Sequence, residues 1–263
     1  MNTPATDRQA FKASVRTHWD AAAHGWDAHS PAIRAWLRTS TDAMIAMAGV
    51  VEGSRVIDVA AGAGDQTLDL AERVGPSGAV VATDLSPAIV ALAHERARRA
   101  GFEQVQCRVA DGEDLRVEAA SFDAAVCRLG LMFFPDPLQG LREMHCALRP
   151  GGGGVCTVVF SRPERNPCVT ILMATALRHA GLPARDPFAP GSLFSLGRPG
   201  RIDTLFDDAG FRDVATTAMD AVFRMPSADD YLAFVRSSAS PILQILAGLG
   251  EAAAEAAWDD IRA

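Results

Sequence analysis

A glycine turn between two apolar stretches constrains the fold of this chain more than any other feature. Residues 56–67 carry an apolar stretch into Gly62 and Gly64 and then into a helical pattern, and Asp84 ends the next apolar stretch. Glycine lets a backbone turn tightly and lie against a ligand, and the following helix N-terminus offers free N–H groups. An acid after the second strand of such a unit can accept hydrogen bonds from ribose hydroxyls. The sequence therefore predicts a βαβ unit that binds an adenosine-type cofactor.

The residues after the turn exclude two common nucleotide sites. A dinucleotide fingerprint has a third glycine for close packing of helix on strand, and here that position is Thr67, whose β-branch we expect to push the helix away. A P-loop has a Lys-Ser or Lys-Thr pair after its turn, and this turn has none. A second nucleotide-binding half is also missing, so a hydride-transferring enzyme is excluded.

The run 56–67 resembles motif I of the class I S-adenosylmethionine-dependent methyltransferases. Four further segments follow the order of that family's motifs, at residues 80–87, 108–115, 121–134 and 148–154. The loop Ala-Gly-Ala-Gly-Asp-Gln-Thr is similar to that of the UbiE/COQ5 group of quinone C-methyltransferases. The resemblance implies an α/β fold with a doubly wound, mostly parallel Rossmann-like sheet and helices on both faces. It also implies S-adenosylmethionine as cofactor and S-adenosylhomocysteine as product.

The resemblance further implies which residues hold the cofactor. Its ribose would meet Asp84, its adenine amino group would meet Asp111, and Arg128 is a candidate contact for the cofactor or its carboxylate. Asp58, inside the first strand, would brace the glycine loop as much as bind. The expected cofactor-binding residues are Asp58, Ala60, Gly62, Ala63, Gly64, Asp84, Leu85, Asp111, Gly112, Glu113, Arg128 and Trp26.

The methyl acceptor is expected in an apolar pocket beside the cofactor, lined by Met132, Phe133, Leu172 and Phe194. The mechanism implied by the resemblance is direct in-line displacement, which needs a general base only when the acceptor must first lose a proton. Candidates for such a base are His18, His24 and His29, each of which also fits a solvated helix face. The five cysteines show no C-x-x-C spacing, so we expect no metal site.

We divide the chain into four parts. Residues 1–50 form an N-terminal helical lid, with helices over 7–28 and 32–48 indicated by apolar residues at steps of three and four. Residues 51–160 form the cofactor-binding core, and 161–210 form a helical, Pro/Gly-rich substrate cap between strands five and six. Residues 211–263 supply strand six, over 211–224, and two helical stretches, but leave no apolar run for the family's final strand.

Composition narrows the function without naming the acceptor. A net charge of −7 argues against a polyanionic substrate. No apolar run reaches the ~18 residues of a membrane span, and the N-terminus lacks a signal-peptide pattern, so we expect a cytoplasmic protein. We also expect it to be a monomer or a homodimer.

Three hypotheses stay open. The first is a small-molecule methyltransferase, C- or O-directed, and the second is a nucleic-acid or protein methyltransferase. The second would carry a basic groove or an Asn/Asp-Pro-Pro-aromatic motif after strand four, where this chain has Arg-Leu-Gly-Leu from Arg128. The third is a non-catalytic S-adenosylmethionine-binding protein, although nothing in the loops looks damaged.

Overall fold

The fold is built on one parallel sheet, seen in a computed structural model that describes residues 5–262. Residues 1–4 and 263, the outer ends of the predicted lid and C-terminal part, lie outside the described residues. Five strands are arranged in the order β3-β2-β1-β4-β5, and β1 pairs in parallel with both β2 and β4. The strands are β1 (Arg55–Val59), β2 (Ala79–Asp84), β3 (Val105–Val109), β4 (Ala124–Arg128) and β5 (Val155–Val158). This confirms the doubly wound α/β fold.

Ten helices surround the sheet in the described part of the chain. Local sequence signals mark the start of α4, where Ser86 accepts a hydrogen bond from the Ile89 N–H as N-cap and Pro87 occupies the first turn. The helices are α1 (Ala5–Ala28), α2 (Ser30–Met47), α3 (Asp65–Val74), α4 (Pro87–Arg99), α5 (Pro137–Ala147), α6 (Pro167–His179), α7 (Arg201–Asp208), α8 (Ala228–Ser238), α9 (Ser240–Leu246) and α10 (Glu251–Arg262).

Both faces of the sheet are buried because successive strand residues point to opposite sides. Val56 packs with α2 and α3 in one apolar cluster. Its neighbour Ile57 packs with α5 and α7 in another. Near-continuous apolar strands are the expected consequence of covering a parallel sheet on two faces.

A third apolar cluster joins helices from distant parts of the chain, and we call it the helical layer. Its buried residues come from α2, α6, α8, α9 and α10, and include Leu37, Leu172, Phe234 and Trp258. The predicted lid, cap and C-terminal parts therefore share one core. None of the helices within residues 5–262 combines the length and the apolar character needed to cross a membrane.

The prediction of a sixth strand over 211–224 is wrong. In the part of the chain that the structure describes, β5 is the last strand, and residues 212–224 are irregular and mostly exposed. Asp213 adopts a φ of +58°, outside the β region, so the backbone turns away from a strand conformation at the start of the segment. It is held by side chains instead: the Trp36 Nε1 donates to the Ala221 carbonyl at 3.1 Å, and the Phe223 ring packs against Trp36.

Candidate functional site

A cavity of about 1010 Å³ lies at the carboxyl ends of the strands, under α1. This volume includes solvent space at the open mouth of the cavity. The position is where open α/β sheets bind ligands, at the point where strand order reverses between β1 and β4. Its lining includes Phe11, Lys12, Val15, Trp19, Trp26, Leu37, residues 60–63, Asp65, Gln66, Asp84, Leu85, Ile89, residues 110–113, residues 128–130 and residues 133–135.

The two glycines of the turn serve different purposes. Gly62 has a φ of +59°, and a Cβ added there would meet no atom within 4 Å, so a ligand in the cavity can approach its backbone closely. Gly64 has a φ of +89°, and its added Cβ would lie 3.2 Å from the Ala93 Cα, so it allows the turn to pack against α4. Ala60 also has a positive φ, +55°, although it carries a side chain. Strained backbone of this kind clusters at binding sites.

Asp58 lies beneath the glycine turn rather than in the cavity lining. Its carboxylate is fully buried and accepts hydrogen bonds from the Thr67 Oγ1 at 2.6 Å and the Gln66 Nε2 at 3.2 Å. Burial raises the pKa of Asp58 to about 6, against the opposing effect of these two bonds. Thr67 thus ties α3 to β1 at the position where a dinucleotide site has glycine.

Asp84 directs its carboxylate to the cavity from the end of β2. The Gly62 N–H donates to its Oδ2 and the Ser86 N–H to its Oδ1, both at 3.0 Å. Burial raises the pKa of Asp84, and these backbone donors oppose that effect. Each carboxylate oxygen has a second lone pair. Asp84 is therefore held in place while it can still accept hydrogen bonds from a diol.

The segment after β3 forms a second acidic edge, which we call the acidic turn (residues 111–113). The Asp111 Oδ1 accepts a hydrogen bond from the Glu113 N–H at 2.9 Å. Gly112 is pressed against the Phe134 ring so closely that an added Cβ would lie 2.2 Å from it. From above, the Lys12 ammonium of α1 contacts both Asp111 and Glu113 at 2.6 Å.

Arg128 brings a buried positive charge to the end of β4. Its guanidinium donates to the Thr41 Oγ1 at 2.8 Å, and its side chain lines the cavity. Burial lowers the pKa of Arg128, although nearby carboxylates, Asp65 foremost, oppose this. A buried guanidinium with donors to spare suits a carboxylate ligand.

Aromatic rings form the roof of the cavity. Trp19 and Trp26, both on α1, have ring centroids 5.7 Å apart, and Trp19 meets the Phe133 ring edge-on at 5.7 Å. The Trp26 indole N–H donates to the Ser238 carbonyl of α8 at 3.2 Å. The helix that covers the cavity is therefore itself anchored to the helical layer.

Most of the residues predicted to bind the cofactor come together in this cavity. The exceptions are Asp58, beneath the turn, and Gly64, against α4. The lining includes Ala60, Gly62, Ala63, Asp84, Leu85, Asp111, Gly112, Glu113, Arg128 and Trp26.

The residues predicted to line the methyl-acceptor pocket do not come together in the structure. Phe133 lines the cavity, but the 3-10 turn that holds it points Met132 inward to pack with α5. Leu172 is buried in the helical layer, and the Phe194 ring packs against Phe160 at 6.0 Å. These three side chains are occupied by core packing and do not line the cavity.

None of the three candidate histidines lines the cavity either. His24 is exposed on the outer side of α1, whereas His18 is half-buried and its ring lies 3.4 Å from the Ser14 hydroxyl. The His29 Nδ1 lies 2.9 Å from the Gly25 carbonyl, and its ring packs on Phe234.

The sequence indicated an apolar stripe on α1, but not which residues of that stripe and of the loops would face the cavity. Lys12 had a signal of its own, since it is the only lysine among the 25 lysines and arginines. The lining residues that were not predicted as site residues are Phe11, Lys12, Val15, Trp19, Leu37, Ala61, Asp65, Gln66, Ile89, Ala110, Leu129, Gly130, Phe134 and Pro135.

The chain belongs to the ubiE/COQ5 methyltransferase family, whose model matches residues 32–175, more than half of its length. Among curated relatives, a demethylmenaquinone methyltransferase from Bacillus cytotoxicus is 36% identical over 107 residues. That alignment covers 41% of this chain and 45% of the relative, so the chain matches less than half the length of that relative.

Solved structures share the fold at low sequence identity. A SAM dependent methyltransferase from Aquifex aeolicus superposes with a TM-score of 0.50 at 20% identity, over 65% of this chain and 79% of that one. The [4+2]-cyclase SpnF superposes with a TM-score of 0.55 at 18% identity, over 93% and 89%. Because these two neighbours are described by different reactions, the fold alone does not fix the chemistry, which must be argued from the site.

Proposed function

We propose that this protein transfers a methyl group from S-adenosylmethionine to a small, apolar or aromatic metabolite held under its N-terminal lid. Membership of the ubiE/COQ5 methyltransferase family supports the reaction class. The proposal keeps the division into a lid (residues 1–50), a core (51–160), a cap (161–210) and a C-terminal part (211–263). When bound, the cofactor would supply an electrophilic methyl group on a sulfonium, which passes to a nucleophile in line as S-adenosylhomocysteine leaves.

The observation that carries the proposal is the Asp84 carboxylate, fixed by the Gly62 N–H at 3.0 Å and facing the same cavity as the acidic turn. A nucleoside site needs one hydrogen-bond acceptor for the ribose hydroxyls and another for the amino group of the base. Both must lie beside backbone that the ligand can approach closely. Asp84, Asp111 and the open space beside Gly62 meet those needs. The residues present therefore fit an adenosine group.

The remaining polar groups suit the amino-acid end of the cofactor. Arg128 is a buried cation at the end of β4, and it can pair with a carboxylate without competing with water. Asp65 also lines the cavity, at the start of α3. Since a sulfonium is a cation, the faces of Trp19 and Phe133 can stabilise it as well.

The nature of the acceptor is inferred from the roof of the cavity. Phe11, Val15, Trp19 and Phe133 present rings and methyl groups with no titratable atom, and the ammonium of Lys12 beside them is paired with Asp111 and Glu113. An acceptor there must arrive with an activated carbon or an acidic hydroxyl, as quinols and phenols do. The demethylmenaquinone methyltransferase relative supports a quinol, and a roof of this kind leaves little room for a macromolecule.

Methyl transfer can be tested with a panel of acceptors. The full chain is incubated with S-adenosylmethionine and either a demethylated naphthoquinol, a catechol, RNA or a protein extract. We expect one quinol or phenol to exchange a hydrogen for a methyl group, with loss of a proton, as an equal amount of S-adenosylhomocysteine forms. Asp84→Asn should lower kcat/KM at least tenfold, since each charge-assisted hydrogen bond contributes about 1.5–3 kcal/mol. Methylation of RNA or protein alone would contradict the proposed acceptor class.

A further inference from the structure

The lid helix contributes the single lysine of the chain to the cavity. All other basic residues among the 25 are arginines, including Arg8 on the same helix, which pairs with Asp136, and Arg128 in the cavity itself. A chain that otherwise uses arginine for its cations has a lysine at this one place. The reason should therefore lie in the local geometry.

Lys12 sits between two carboxylates of the acidic turn. Its Nζ lies 2.6 Å from the Asp111 Oδ2 and 2.6 Å from the Glu113 Oε2, and its side chain is only 22% exposed. Burial opposes its charge, but the hydrogen bonds and charges of Asp111 and Glu113 outweigh burial and raise the pKa of Lys12. The lid therefore carries a fixed positive charge onto the acidic turn.

An ammonium fits this place better than a guanidinium. It is a compact charge with three donors on one nitrogen, so it can contact two carboxylates at once. A guanidinium is a planar fork that favours one carboxylate in a two-pronged contact. It would also extend further into the space beside Asp111.

Backbone groups hold one side of the acidic turn, and Lys12 links the turn to the lid. The Glu113 Oε1 accepts from the Asp136 N–H at 2.6 Å, and the Asp111 Oδ1 accepts from within the turn. Each carboxylate is thus held by a backbone N–H on one oxygen and by Lys12 on the other. The Asp111 oxygens still have lone pairs for a base in the cavity.

We propose that Lys12 is a positioning residue of the cofactor site, locking the lid helix onto the acidic turn when the turn is arranged to hold adenine. This inference rests on the proposed function, because it takes the cavity to be the nucleoside site. The Lys12 contacts then couple closing of the lid helix to ordering of the acidic turn. A bound nucleoside should leave slowly, since its release requires the Lys12 contacts to break.

The single lysine makes a direct test on the unmodified protein feasible. A lysine-selective acylating reagent can label only Lys12 and the α-amino group, which serves as the internal reference. Peptide mass spectrometry then measures labelling with and without saturating S-adenosylhomocysteine. We expect the ligand to slow labelling of Lys12 at least fivefold and to leave the reference unchanged. Equal labelling of Lys12 in both states, with ligand bound, would overturn the inference.

Variants show whether Lys12 holds the lid on the acidic turn or only neutralises the charge of the two carboxylates. We expect Lys12→Met to speed dissociation of S-adenosylhomocysteine at least tenfold, and Lys12→Arg to restore little of the loss. Arg8→Met, which removes another lid ion pair one turn away, should change dissociation less than twofold. If adding Glu113→Gln to Lys12→Met returns the wild-type rate, Lys12 only balances charge and the inference fails.

The outcomes also separate this inference from the proposed function. Equal affinity of the wild type and Lys12→Met for S-adenosylhomocysteine would overturn the inference alone. A wild type that binds none of this ligand would overturn the proposed function and the inference with it.

Discussion

Thr67 shows at the scale of one residue how much a sequence pattern can and cannot tell. The missing third glycine excluded a dinucleotide site, and the family match agrees with that exclusion. The pattern did not reveal that the Thr67 hydroxyl would donate to Asp58 at 2.6 Å inside the core. The residue types in a turn are enough to predict the turn and the class of ligand it binds. The hydrogen-bond partner of a buried hydroxyl, in contrast, depends on how the helix and the strand pack together.

Gly62 offers a test of the ligand position at this scale. Gly62→Ala places a methyl group into space that we assign to the cofactor, and it strains a φ of +59°. Gly101→Ala is the matched control, with a φ of +75°, equally open space and no place in the cavity. Both should lose about 1–2 kcal/mol of stability. Only Gly62→Ala should weaken S-adenosylhomocysteine binding at least tenfold, and similar affinities in both variants would remove Gly62 from the site.

Asp58 predicts a pH dependence of stability. Its pKa of about 6 in the folded protein lies above its ordinary 3.8, so the folded state holds the proton more tightly than the unfolded state. The resulting stabilisation is full below pH 3.8 and is lost as pH rises through 6. It amounts to about 3 kcal/mol.

Asp58→Asn isolates this effect, because it removes the titration while its lost hydrogen bonds give a pH-independent offset. Urea unfolding at about pH 4 and about pH 7 measures the difference in unfolding free energy between wild type and variant. We expect the wild type to lose about 2 kcal/mol relative to the variant between these pH values, less than the full effect because pH 4 lies just above the ordinary pKa of 3.8. A constant difference would show that Asp58 titrates normally.

At the scale of elements, the sequence predicted helices well and the last strand badly. The helical periodicity of α1 is a local signal, and that helix formed where expected. A strand forms only beside a partner strand. Residues 212–224 do not pair with β5 and are held instead by Trp36, which packs against Phe223 and donates a hydrogen bond to the Ala221 carbonyl. The same limit explains Met132 and Leu172, since apolar character does not say which of two apolar surfaces a side chain will join.

The close approach of α1 to α8 gives a test at this scale. Gly→Ala inside an exposed helix normally stabilises it by about 1 kcal/mol. At Gly25, however, the added Cβ would lie 2.1 Å from the Ser237 carbonyl oxygen, so α1 must move away. We expect Gly25→Ala to lower the unfolding free energy and loosen the lid. Ala21→Gly, on the exposed side of α1, should cost the usual ~1 kcal/mol, and stabilisation by Gly25→Ala would refute the contact.

At the scale of the whole molecule, the site lies between the sheet and the helical layer. The sheet supplies the glycine turn, Asp84 and Arg128, while α1 supplies the aromatic roof and is held to α8 through Trp26. The parallel sheet and its binding edge were predictable because the motifs come in chain order along the strands. The helical layer was not, because it joins α2 to helices more than a hundred residues away.

This arrangement predicts that cofactor binding orders the lid. Hydrogen exchange in residues 8–28 should slow when S-adenosylhomocysteine is added, because the ligand completes the surface under Trp19 and Trp26. Amides of β1 and β4, buried in both states, provide the internal control. Equal protection of residues 8–28 with and without ligand would make α1 a static brace.

The most direct test of the account is calorimetric titration of S-adenosylhomocysteine into the wild type, Asp84→Asn and Asp42→Asn. Asp42 is the control, since its carboxylate pairs with Arg38 on an exposed face of α2. We expect one binding site in the wild type, at least tenfold weaker binding in Asp84→Asn and a change below twofold in Asp42→Asn. No binding by the wild type, or equal binding by the wild type and Asp84→Asn, would contradict it.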